Sequence, residues 1–316
     1  MRGSAPASVV LALLTFGCFA HQYRDNPRVA TVDGDAIVQM KPQGALPSAL
    51  EANLVPATLH SDRLDEFDRV VGLVIGSTAR AYPIGLLDRF EVVDDAAGDR
   101  SFLVVRCPLA GIAGIYDRRV GDRVLSFENS GALWRDTLVM RDRETGSYWT
   151  AATGKALSGP LAGAQLEPIP AIVTRVEFWE RVHPQSLYLD LERSTIVPFT
   201  MRLYEASPAE GVSGARTADR RYKPKEELYA FRDSGDVLAF TADEAREEAP
   251  IAATVGGKRI RIEWDAVLET PRAYEETPAR DELAILPMYW FALDRHFAAV
   301  RTLADLGERD SARASR

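Results

Sequence analysis

Val70-Val71-Gly72-Leu73-Val74-Ile75, Gly76-Ser77, then Thr78-Ala79-Arg80-Ala81-Tyr82-Pro83 is the stretch on which the fold turns. Two short runs rich in apolar and β-branched residues flank a Gly-Ser turn, the pattern of an antiparallel hairpin. The same grammar continues down the chain. Ile112–Arg119 and Arg123–Glu128 flank Gly121-Asp122, and Thr137–Asp142 and Ser147–Ala151 flank a turn ending in Gly146. Helical signals are fewer. Pro83–Arg89 opens with proline, whose missing N–H costs nothing at a first helical position. Thr174-Arg175-Val176-Glu177 has the form of a capping box, opening a helix that stops before Pro184. Met288–Leu306 is the longest candidate, with Phe291, Phe297, Val300 and Leu303 near helical spacing and Gly307 as its stop. The expected class is α+β and β-rich, with few short helices and one longer C-terminal helix.

Sliding the chain along itself by 158 residues sets Val70-Val71-Gly72-Leu73 on Leu228-Tyr229-Ala230-Phe231 and Ala81-Tyr82 on Ala239-Phe240. Gly98 meets Gly256, Phe102 and Val104 meet Ile260 and Ile262, and Tyr116 meets Tyr274. The run is ungapped through turn, helix and strand, which predicts two related sub-domains. The second copy has no counterpart of Val124–Ala164, but Tyr289-Trp290 and His296 echo Phe178-Trp179 and His183. Cys107 falls opposite Asp265, so chemistry is expected in the first copy. The chain accordingly divides into a signal over 1–20, an extended loop-rich arm over 21–65, a core unit over 66–190 and an abbreviated repeat over 191–316.

Residues 1–20 are laid out as a secretory signal: Arg2, an apolar run from Val9 to Phe16, then the small residues Gly17, Cys18 and Ala20. The apolar run is shorter than the roughly 20 residues a bilayer span needs. Cleavage after Ala20 would release a free periplasmic or extracellular protein; cleavage before Cys18 would leave a cysteine for lipidation, the one membrane attachment expected. A net charge of −8 with interspersed signs argues against nucleic acid or anionic lipid as a partner, since both are held by basic patches. A small molecule or an envelope protein is left as the partner class, and no cofactor is indicated. The chain has two cysteines. With Cys18 removed or lipidated, Cys107 is a solitary thiol with no internal disulfide partner.

Cys107 shares a strand face with Leu103 and Val105, while Arg106 points the other way. It reads either as an inert core thiol or as a strand-end nucleophile or metal ligand, exposed where Pro108 stops the pairing. His183, before Pro184, reads as a helix C-terminal cap or as a base. Asp136 reads as paired surface charge on a strand, like Asp142, or as a loop carboxylate that orients a base or binds an amine beside Ser130-Gly131. Trp134 is core or lines a binding cleft with Ser130 and Gly131. One useful cysteine and scattered histidines announce no local metal motif, and phosphate loops, nucleophile elbows and dinucleotide fingerprints are lacking.

Ala81-Tyr82-Pro83, Cys107-Pro108-Leu109, Ser130-Gly131, Leu138–Arg143, Trp149, Gly159–Gly163 and His183-Pro184 resemble a bacterial and archaeal family catalogued as domain of unknown function 3179. The resemblance is dense over about 66–190 and looser through Lys223-Pro224-Lys225-Glu226 and Tyr289-Trp290-Phe291. It implies no assigned activity. Relatives often carry a second cysteine where this chain has Ala110, and a His-Glu pair followed by Asn-Asp where it has Phe90-Glu91 and Asp94-Asp95. These departures favour a non-catalytic ligand-binding or assembly protein of the envelope over an exported enzyme using Cys107 with Asp136 and His183 as helpers.

The signal yields a direct expectation. Intact-mass measurement of the protein purified from its native host should show loss of the segment ending between residues 17 and 20. Recovery of a chain that retains Met1 would contradict export.

Overall fold

A computed structural model describes residues 23–59, 64–190 and 199–306. The expected signal, Cys18, His21 and His60 lie outside them. The described chain is β-rich, with several mainly antiparallel sheets and short helices. No described helix is long and apolar enough to cross a membrane.

The hairpin quoted above forms as read: Arg69–Ile75 pairs antiparallel with Thr78–Pro83, Val71 facing Tyr82 and Gly72 facing Ala81. A short helix, Ile84–Phe90, follows, then a four-stranded sheet in the order Pro168–Ile169, Ile112–Asp117, Arg100–Cys107, Val92–Ala97. Both faces of the Arg100–Cys107 strand are covered. Leu103, Val105 and Cys107 enter one core with Tyr116, Trp149 and Trp290, while Phe102 and Val104 enter another with Tyr82 and Leu73. Period-two alternation thus splits one strand between two cores. A six-stranded sheet, ordered Arg28–Val32, Asp35–Gln39, Phe127–Trp134, Thr137–Asp142, Tyr148–Thr150 and Ala156–Ser158, stands beside them.

Pairing registers in the later half repeat those of the earlier half. Tyr229 faces Phe240 as Val71 faces Tyr82, Ile251 faces Ile262 as Val93 faces Val104, and Arg261 faces Tyr274 as Leu103 faces Tyr116. Further on, Leu286 faces Ala230 as Ile172 faces Gly72, an offset of 114 rather than 158. Arg69 and Glu227, 158 residues apart, meet in an ion pair at 2.6 Å.

Several expectations are corrected. Within the loop-rich arm over 21–65, short strands join the body: Arg28–Val32 and Asp35–Gln39 form a hairpin whose second strand pairs with Phe127–Trp134, and Leu54–Pro56 pairs with Leu187–Leu189. The long C-terminal helix reduces to Trp290–His296, because Leu286–Tyr289 is taken as a strand by Glu227–Asp233. Register sets Tyr289-Trp290 at the level of Arg175-Val176, not of Phe178-Trp179. Thr174 caps nothing. It lies in the strand Ile172–Arg175, donates its hydroxyl to the Leu268 carbonyl, and leaves Arg175 at the start of the helix Val176–Val182.

Gly72 shows how tightly the first hairpin is covered. A Cβ built there would sit 2.2 Å from the Trp179 ring, far inside contact distance. Gly72→Ala should therefore cost about 1–3 kcal/mol, read as a lower thermal midpoint; an unchanged midpoint would mean that Trp179 does not pack on this strand.

Candidate functional site

Arg100–Cys107 ends at the cysteine, last paired to Ile112, because Pro108 has no N–H to continue the ladder. One residue earlier, the Arg106 N–H donates to the Glu91 carbonyl at 2.8 Å. That bond brings Glu91, the residue that closes the helix Ile84–Phe90, alongside the cysteine strand. The third side of the site is a β-bulge in Phe127–Trp134, where register shifts between Asn129 and Ala132. Gly131 makes the bulge possible. Its φ is +73°, and a Cβ there would meet the Lys41 carbonyl at 2.4 Å. The bulge aims Asn129 inward: its Oδ1 accepts from the Gly131 N–H at 2.9 Å and its Nδ2 donates to Glu91 Oε2 at 3.0 Å.

These elements line a mainly apolar, partly open cavity of about 170 Å3, walled by Met40, Glu91, Cys107, Asn129, Met201 and Tyr204, with Gly131 and Leu138 also in contact with it. The far wall comes from the helix Phe199–Ala206, tied down through Tyr204. The Tyr204 hydroxyl donates to the Leu109 carbonyl at 2.5 Å and accepts from the Gly211 N–H at 3.0 Å. The Lys225 ammonium lies over the Tyr204 ring, 3.8 Å from its centroid, and donates to the Tyr204 carbonyl. The site thus draws on both sides of residue 190.

Inside the cavity the acids are held protonated. Burial pushes the Glu91 carboxyl up to about 8, partly offset by the Asn129 hydrogen bond. Burial, and then the Glu91 carboxyl, push the Cys107 thiol up to about 12. Its Sγ accepts from the Leu138 N–H at 3.3 Å and the residue is 1% exposed. An exposed, activated strand-end thiolate is not what forms; Cys107 is a buried neutral thiol at a cavity wall.

The other candidates do not gather round it. Ser130 donates its hydroxyl to the Val139 carbonyl and accepts from the Ala132 N–H, so it shapes the bulge. Asp136 is buried, contrary to the surface-charge reading, and its oxygens are occupied. Oδ1 accepts from the Val212 and Ser213 N–H groups at 2.7 Å each, and Oδ2 from the Ser213 hydroxyl and Arg295. It clamps the segment leading from Tyr204 and has no oxygen left to orient a base. Asp142 is likewise buried, accepting from Thr145, Ser147 and Trp149 in a structural turn. Trp134 packs edge-on against His296, whose Nε2 lies 3.0 Å from the Thr137 hydroxyl. Burial and the nearby arginines push His296 down to about 3. His183 packs tilted against Trp179, ring centroids 4.3 Å apart, and lines a different cavity, with Asp265 and Arg272. Burial, then Arg272, lower its pKa. No group of three or more His, Cys, Asp and Glu side chains among the described residues is placed to hold a metal.

Glu91, Asn129, Met40, Met201 and Tyr204 come into the site unannounced. Glu91 had a signal, as the retained member of the Phe90-Glu91 pair. Phe90, in the position where relatives often carry histidine, packs against the Tyr82–Phe102 core.

Because Glu91 ionises near 8 in the fold and near 4.5 unfolded, its protonated form stabilises the fold fully below pH 4.5, and that contribution is lost as pH rises through 8. Glu91→Gln keeps an acceptor for Asn129 and cannot ionise. Its stability should match the parent near pH 4 and exceed it by on the order of 4 kcal/mol at pH 8–9. Denaturant melts across this range should show the gap opening; parallel curves would contradict a buried carboxyl.

Comparison with known proteins adds family and no activity. Residues 43–314 match the family described as "Protein of unknown function (DUF3179)". No curated protein and no solved structure matches the chain. The matched span contains the cysteine strand, the Asn129 bulge and both sets of repeated registers, and on it the chain belongs to the DUF3179 family.

Proposed function

We propose that the mature protein is an exported binding protein that holds a small ligand in the Glu91–Cys107 cavity and does not transform it. The observation that carries this reading is the composition of the wall: one carboxyl and one amide, already hydrogen-bonded to each other, set in apolar side chains. Binding sites are built this way, with a few polar groups fixing orientation inside an apolar pocket. Size narrows the ligand. A pocket of about 170 Å3 compares with a ~150 Å3 engineered cavity that accommodates benzene, so the group held inside it is small.

A nucleophilic role for Cys107 lacks support. Its thiol is protonated far above neutral pH, and Asp136 and His183, the expected helpers, are engaged elsewhere. Export rests on the leader over 1–20, with Cys18 as the residue that would take a lipid if cleavage precedes it. The two-copy organisation, 66–190 and 191–316, is supported by the repeated registers, in which Asp265 faces Thr270 as Cys107 faces Ile112. In the second copy Asp265 accepts from the Val267 and Leu268 N–H groups at 3.0 Å, a turn-closing role. That leaves the cysteine wall of the cavity to the first copy, while Met201 and Tyr204 of the second cover it.

Thiol reagents of different size test the cavity. Methyl methanethiosulfonate should label Cys107 in the folded protein, at least a hundredfold more slowly than free cysteine because little thiolate is present. A bulky aromatic disulfide should label it only after unfolding. Equal exclusion of both reagents would mean a closed packing void and would remove the binding site.

A further inference from the structure

Cys107 shares its cavity with Met40 and Met201. Thus the one thiol outside the leader, and two of the chain's five methionines, meet around a space of about 170 Å3, with the Glu91 carboxyl in the same wall. The three come from distant parts of the chain: Met40 directly follows the strand Asp35–Gln39, Cys107 ends the central strand, and Met201 lies on the helix Phe199–Ala206. Met40 Sδ accepts a weak hydrogen bond from Asn26 Nδ2 at 3.5 Å, which leaves a second lone pair. Glu91 has one hydrogen-bond donor, Asn129, and forms no ion pair with a cationic side chain among the described residues. Lys41 touches the cavity but is an exposed residue.

We propose that the cavity is a binding site for a soft monovalent metal ion, Cu(I) or its analogue Ag(I), held by the Cys107 thiolate and the Met40 and Met201 thioethers, beside the neutral Glu91 carboxyl. This deepens the binding reading above and rests on it. The donor set decides the metal class. Thiolate and thioether select Cu(I), whereas zinc takes four nitrogen, thiolate or carboxylate ligands, and magnesium and calcium take oxygen. On binding, the Cys107 S–H bond breaks as the metal–sulfur bond forms, and the proton leaves to solvent. The ion enters and stays in the +1 state, so no oxidant or reductant is involved. The site does not rest on the thiol alone, since it requires the two thioethers.

Silver(I) in chloride-free buffer, titrated into the mature chain, gives the test, read by native mass spectrometry and by thermal midpoint. One ion per chain and a raised midpoint are expected, with loss of both in Cys107→Ser. Met40→Leu with Met201→Leu conserves volume and should weaken the affinity roughly tenfold or more. Met140→Leu, in the core but not at the cavity, should leave it unchanged. Should the double variant lose its fold by circular dichroism, each single variant carries the same comparison. Absence of binding, or an affinity indifferent to both methionines, overturns the proposal, the latter because the thiol alone would have captured the ion. Methanethiosulfonate labelling of the folded protein with no silver bound would leave the cavity reading standing and the metal assignment refuted.

Discussion

A carboxyl group set into an apolar wall is the constraint on which the site depends. Glu91 reaches that position because the Arg106 N–H holds its backbone against the cysteine strand, and it stays there because Asn129 donates to it. Each support calls on another. Asn129 is aimed by the Gly131 bulge, and the bulge is pinned by the Met40 and Lys41 N–H groups, both donating to the Gly131 carbonyl at 2.9 Å. The hairpin over residues 28–39 is therefore part of the site's support. In a medium of low effective dielectric such a group remains neutral near physiological pH, and its neutrality in turn helps keep the adjacent thiol protonated. The result is a quiet cavity suited to holding something, with no activated nucleophile at its edge.

Closure of that cavity depends on a second buried acid of a different kind. Asp136 has every oxygen engaged, by two backbone N–H groups, a hydroxyl and a guanidinium. A buried charge is tolerated when it is paired and fully hydrogen-bonded, and Asp136 meets both conditions where Glu91 meets neither. Two carboxyls in one fold thus take opposite roles: one fastens the segment following Tyr204, the other faces the space that segment covers.

Much of the β framework was legible because it is local. Gly76-Ser77 between two apolar runs specifies a hairpin without help from distant residues, and the face shared by Leu103, Val105 and Cys107 follows from period-two alternation. The C-terminal helix misread has the opposite cause. Met288 and Tyr289 fit a helical period, but an edge of Glu227–Asp233 needed a partner, and tertiary pairing overrode local preference. Thr174 was lost to a strand in the same way. Within the site, Cys107 and Gly131 were readable, one as the solitary thiol and one beside a serine in a polar stretch. Met40 and Met201 were not, because nothing local marks an apolar residue as the wall of a cavity assembled from distant segments, and Glu91 was marked only as the retained member of the Phe90-Glu91 pair. Asp136 and His183 drew notice for their chemistry, and the fold uses the first as a clamp and sets the second against a tryptophan in another cavity.

A side-chain carboxyl titration of Glu91 by carbon-13 NMR, assigned through Glu91→Gln, tests the neutral-carboxyl cavity most directly. A midpoint near 8 is predicted. A midpoint near 4.5, the ordinary glutamate value, would place the group in water and contradict the account.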